Sequence, residues 1–167
     1  MRKAAMVVLV SLLALAPLGA FADSSGTVGL GLSMGLALPF GSTAGIPSTD
    51  GLPSFNWGFY VDIPLISTFH ITPSSELYRF QSTNATDVDL AFKFIVPIST
   101  FDVYAGLEPG LTAVGQVLDA HVGLVGGATL RLVSNLDAFA QAKYTVVFDG
   151  NENVRVLHIN AGILFAF

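Results

Sequence analysis

The chain has 167 residues, room for one domain, and is 52% hydrophobic but only 11% charged. A soluble domain carries about 25% charged residues, because water must wet its surface, so most of this surface is expected to face something else. A formal net charge of −5 argues against nucleic acid as a partner, and the absence of cysteine excludes a disulfide framework, a thiolate metal site, a cysteine nucleophile and a lipoprotein anchor.

Arg2 and Lys3 open the chain, 4–16 is apolar, Pro17 breaks the run, and Ala20-Phe21-Ala22 precedes Asp23. A positive start, a short apolar stretch and an A-x-A site describe a cleaved secretory signal. Residues 1–22 are expected to be removed and 23–167 to form the domain, leaving five bases against twelve acids, a net −7. No later run of about 20 apolar residues occurs, so no membrane-spanning helix is expected.

Eight segments of period two follow, the signature of strands whose faces see different surroundings. In 27–38, Val28, Leu30, Leu32, Met34, Leu36 and Leu38 oppose Gly29, Gly31, Ser33, Gly35 and Ala37. Bulky apolar residues against small ones fit an apolar outside and a crowded inside. The second segment puts Phe55, Trp57, Phe59, Val61 and Ile63 outward, and Asn56, Gly58, Tyr60 and Asp62 inward. The third, about 68–80, has Phe69, Ile71 and Leu77 outward against His70, Thr72, Ser74, Glu76 and Tyr78. Pro73 weakens it, since proline cannot donate to a ladder.

The fourth segment sends Val88, Leu90, Phe92, Phe94 and Val96 outward, and Asp89, Ala91, Lys93 and Ile95 inward. The fifth has Phe101, Val103, Ala105 and Leu107 against Asp102, Tyr104, Gly106 and Glu108. In the sixth, Val122, Leu124, Ala128 and Leu130 oppose His121, Gly123, Val125, Gly127, Thr129 and Arg131. The seventh sets Leu136, Ala138, Ala140, Ala142, Tyr144 and Val146 against Asp137, Phe139, Gln141, Lys143 and Thr145. The last ends the chain with Leu157, Ile159, Ala161, Ile163, Phe165 and Phe167 outward, and His158, Asn160, Gly162, Leu164 and Ala166 inward.

A repeat supports this division. Ile63-Pro64-Leu65-Ile66-Ser67-Thr68-Phe69 recurs one residue shorter as Val96-Pro97-Ile98-Ser99-Thr100-Phe101, and more loosely as 130–136. These copies are expected to be three tight turns at the periplasmic end, with loops at 39–53, 81–87, 112–119 and 149–153 facing outside. Aromatic residues fall in two groups, Phe69, Phe101, Phe165 and Phe167 near the turns, and Phe55, Trp57, Tyr144 and Phe148 near the loops. Two aromatic girdles are what two membrane interfaces select.

A terminal Phe preceded by alternate apolar residues, on a chain of eight such segments, resembles the small eight-stranded outer-membrane β-barrels of diderm bacteria, the OmpA, OmpX and OmpW types. The resemblance implies an all-β fold, an eight-stranded antiparallel up-and-down transmembrane β-barrel. It implies outer-membrane lipid, periplasmic chaperones and the barrel-assembly machinery as partners, the last reading Ile159, Ala161, Ile163, Phe165 and Phe167.

The inward set holds the chemistry: Asp62, His70, Glu76, Asp89, Lys93, Asp102, Glu108, His121, Arg131, Asp137, Lys143 and His158. Unpaired charges inside a narrow barrel are costly, so these are expected to pair as a lumen polar network. Asp62, His70, Asp102, Arg131 and Asp137 should lie near the tight turns, the others higher. Large side chains should nearly fill an eight-stranded interior, although inward glycines suggest a crevice. Three scattered histidines have no metal-ligand spacing, and no cofactor is expected. Some barrels of this size modify lipid A, but near His121 and Asp119 no serine stands ready as a nucleophile, so an enzyme is not expected. The expected role is structural or an interaction surface with at most limited permeability. The alternatives are a narrow channel for small solutes of OmpW type and a secreted soluble barrel that binds a hydrophobic ligand.

Overall fold

The computed structural model describes residues 27–40, 53–80, 83–149 and 152–167. The expected signal at 1–22 and most of the loop at 39–53 lie outside them. Eight strands follow in order: β1 (Gly29–Phe40), β2 (Ser54–Ile66), β3 (Phe69–Phe80), β4 (Thr83–Ile98), β5 (Phe101–Val114), β6 (Val117–Val133), β7 (Leu136–Asp149) and β8 (Glu152–Ala166). Each pairs antiparallel with its sequence neighbours, and β1 pairs with β8, so the sheet is a closed barrel.

Closure leaves no unpaired edge, the condition for a sheet to sit in hydrocarbon. The seam is long, running from Gly29 opposite Ala166 to Phe40 opposite Arg155. The C-terminus is tied in as well, with Phe167 N–H donating to Val28 O at 3.0 Å and Ala166 N–H to Asn135 O at 2.9 Å.

The alternation read from the sequence sets the faces. Leu32, Met34, Phe55, Trp57, Phe94, Leu107, Leu124, Ile159 and Ile163 are exposed outside, while Glu76, Asp89, Glu108, His121, Lys143 and His158 are buried inside. A soluble ligand-binding barrel has the opposite polarity. Val61 and Ile63 keep the outward parity but are nearly covered.

The three repeat copies end strands at two-residue turns, Ser67-Thr68, Ser99-Thr100 and Ser134-Asn135. Ser99 takes the left-handed φ of 59°. The loops are shorter than the sequence suggested. Only 81–82, 115–116 and 150–151 separate the later strand pairs, because β4 starts at Thr83 and β5 runs to Val114. Pro73 does not end β3. The β2–β3 ladder passes from Tyr60 opposite Ser74 to Ile63 opposite Ile71, and so is interrupted beside Pro73. Pro109 has the same effect on β4–β5, where pairing jumps from Asp89 opposite Gly110 to Phe92 opposite Leu107.

The inward glycines do not leave a crevice. A Cβ at Gly127 would strike Ala140 O and the Tyr104 phenol, one at Gly162 would strike Leu32 O and the Phe139 ring, and one at Gly110 would strike His121 and Asp89. At these three positions glycine stands where a neighbour already fills the space. For Gly127→Ala the obstacle includes backbone. We predict a cost of about 1–3 kcal/mol, as for other overpacked sites. Gly123→Ala should be close to neutral, since its Cβ meets nothing nearer than 3.4 Å. Urea unfolding of both variants in lipid vesicles checks this, and equal midpoints would refute it.

Candidate functional site: a charged plug in the barrel

Every strand sends inward side chains to one polar body, because residues two apart share a face and closure brings eight such faces together. Lys143 of β7 stands at its centre with no exposed surface. Its Nζ donates to Asp89 Oδ2 at 3.0 Å and lies 3.2 Å from Glu76 Oε2, 3.8 Å from Asp87 Oδ2 and 3.8 Å from Glu108 Oε1. One ammonium thus faces four carboxyl groups drawn from three strands.

Two buried imidazoles border the same carboxyl groups. His158 Nδ1 is 3.1 Å from Glu76 Oε2, and its Nε2 is 3.7 Å from Asp87 Oδ2. His121 meets Asp89 Oδ1 through Nε2 and Thr112 Oγ1 through Nδ1, the latter at 2.7 Å. Thr112 in turn donates to Asp87 Oδ1 at 2.8 Å, and Tyr78 OH donates to the same oxygen at 3.0 Å.

Tyr60 links this body to β1, β7 and β8. Its hydroxyl donates to Glu76 Oε1 and receives Ser33 Oγ at 3.2 Å, Gln141 Nε2 at 3.1 Å and Asn160 Nδ2 at 3.2 Å. Tyr104 OH donates to Gln141 Oε1 at 3.0 Å. Such a dense set of hydrogen bonds lets charge sit in a low-dielectric interior.

A second group lies toward the tight turns. His70 Nδ1 is 2.6 Å from Asp62 Oδ2, and Thr72 donates to Asp62 Oδ1 at 2.6 Å. Lys93 lies 4.8 Å over the Tyr104 ring. Asp62, Thr72, Lys93, Tyr60, Tyr104 and Phe139 are among the residues around a hollow of about 40 Å³. That is space for about two or three waters at most.

The sequence-derived list therefore divides. Glu76, Asp89, Glu108, His121, Lys143 and His158 meet in the plug. Asp62 and His70 meet below it, and Lys93, expected higher, joins them because β4 pairs it with His70. Arg131 and Asp137 pair across their turn at 3.6 Å, with the arginine 69% exposed, and Asp102 lies opposite Thr129 at the same end. These three stand outside the plug.

Asp87 and Thr112 were missed because both were assigned to loops. Parity carried the signal, since Asp87 continues the series Asp89, Ala91, Lys93, and Thr112 continues Glu108, Gly110. Tyr60, Tyr78, Asn56, Gln141 and Asn160 were read as filling or as unremarkable inward positions, and they are hydrogen-bonding members. Thr112, His121 and Asp89 stand in nucleophile–base–acid order, but Thr112 is buried and its hydroxyl proton goes to Asp87. Among the described residues no cluster of His, Cys, Asp and Glu is arranged to hold a metal ion.

A closed eight-stranded barrel with an apolar outside and a filled, charged inside defines the transmembrane class of small β-barrels. No protein-family model and no curated protein matches the sequence. Solved structures do match in fold. Neisserial surface protein A is 14% identical, with a TM-score of 0.71 over 84% of this chain and 97% of that one. Ail, the attachment invasion locus protein of Yersinia pestis, is 10% identical, with a TM-score of 0.61 over 85% of this chain and 99% of that one. The N-terminal β-barrel domain of OprF from Pseudomonas aeruginosa is 12% identical, with a TM-score of 0.52 over 84% of this chain and all, 100%, of that domain. The chain has the fold of the small eight-stranded outer-membrane barrels.

Proposed function

We propose that the mature chain, 23–167, is an integral outer-membrane protein whose barrel serves as a structural element or interaction surface and not as a pore. One observation carries this reading. At the level of Glu76, Asp87, Lys143 and His158, side chains with no exposed surface fill the lumen from wall to wall. The inverted polarity of the barrel and its likeness in fold to outer-membrane proteins support the location. Export through a cleaved signal at 1–22, periplasmic chaperones, and insertion by an assembly machinery that reads Ile159, Ala161, Ile163, Phe165 and Phe167 belong to the same proposal. Ile159, Ala161, Ile163 and Phe165 lie on the outer surface of β8, and Phe167 follows directly after it, exposed as they are, where such a reader can reach them. The role in this reading is non-catalytic, and among the described residues the triad-like set Thr112, His121 and Asp89 is sealed inside the plug.

Two measurements test this reading. The folded protein should migrate faster in detergent gels before heating than after, as closed membrane barrels do. In a planar lipid bilayer it should stay silent. Steady openings would favour the narrow solute channel, and partition into the aqueous phase of a detergent separation would favour the soluble barrel.

A further inference from the structure

Among the described side chains, the outward set of the eight strands carries two charges, Arg79 and Arg155, and no acid. The inward faces take the acids, so the lipid-facing surface is purely cationic wherever it is charged. A cation there is tolerated only near an interface, where it meets headgroups. Arg79 is the next-to-last residue of β3, at the end opposite the tight turns. Its guanidinium has no ion pair or hydrogen bond with any described residue, while its backbone is held on both sides by Ser54. Ser54 Oγ donates to Arg79 O and accepts from Arg79 N–H at 2.9 Å.

The surroundings are built for a headgroup. Arg79 stands opposite Asn84 in the ladder, and one step below it Trp57, Leu77 and Thr86 lie abreast. With Phe55 these residues line an open groove of about 730 Å³. A guanidinium binds a phosphate through paired N–H groups, an amide and a hydroxyl supply further donors, and Trp beside them sits where headgroups meet chains. Arg155 has no comparable row, standing opposite Val146.

We propose that this groove on β2, β3 and β4 binds the phosphate of a membrane lipid carrying a phosphomonoester headgroup, with Arg79 as its charged anchor. The proposal rests on the membrane reading above. The test uses the full mature barrel in detergent micelles doped with equal phosphatidic acid and phosphatidylcholine, with retained lipid read by native mass spectrometry. Wild type and Arg155→Ala should retain phosphatidic acid in preference to phosphatidylcholine, and Arg79→Ala should retain at least about fivefold less of it.

Equal retention by Arg79→Ala overturns the site, as does an absence of preference in the wild type. Displacement of the lipid by millimolar inorganic phosphate would mean a free-anion site and would also overturn it. Gel mobility, measured first on each variant, separates the two readings. A wild type without heat-modifiable mobility sinks the membrane location and the lipid site with it, whereas a folded barrel indifferent to Arg79 sinks the lipid site alone.

Discussion

Replacing Lys143 with methionine is expected to cost about 3–5 kcal/mol or to abolish folding, the largest effect of any single change in the barrel. The side chain is wholly buried and faces Glu76, Asp87, Asp89 and Glu108 within 3.8 Å. Methionine matches the length and removes the charge, so four buried carboxyl groups would lose the cation they share. Glu76→Gln in the same background should recover part of the loss, because it removes one like charge and keeps an acceptor for Tyr60 and Asn160. Arg131→Ala is the control. Its partner Asp137 lies at an exposed turn, where an ion pair contributes about 0–1 kcal/mol. Urea unfolding in lipid vesicles, followed by the fluorescence of Trp57, the single tryptophan, reports all three. Wild-type stability in Lys143→Met would refute the central role of this lysine.

Leu124→Arg should cost about 2–4 kcal/mol in lipid, the penalty for a cation near the middle of the bilayer on a barrel's outer face. Leu124 is 60% exposed and lies abreast of Leu107 and Tyr144, far from both ends of β6. In a water-soluble barrel the same exposed position would accept arginine at almost no cost. The experiment therefore reads the solvent of the outer wall directly. An unchanged midpoint in vesicles would mean that this wall does not meet hydrocarbon.

Period-two patterning settles a great deal about this chain. A residue's parity decides its face, and one face of each strand here is too apolar for water, so inside and outside follow from position along the chain. The Ser-containing repeat marked three turns for a similar local reason, since each interrupts the alternation at a fixed point. Strand ends were less legible. Thr83 to Asp87 and Thr112 to Val114 are polar or mixed enough to pass for loops, and only pairing with neighbouring strands keeps them extended.

What sequence alone determined, then, is the closed sheet's polarity, which depends on nothing beyond alternation and the cost of placing charge in hydrocarbon. What tertiary structure decided is which inward groups share a level. That depends on the stagger between strands, which is not visible within one strand. The stagger brings Lys93 down to His70 and sets Lys143 among four acids from three different strands. It also turns the glycines from apparent space into seats for Tyr104 and Phe139, because a missing Cβ matters only once the neighbour that uses its room is known.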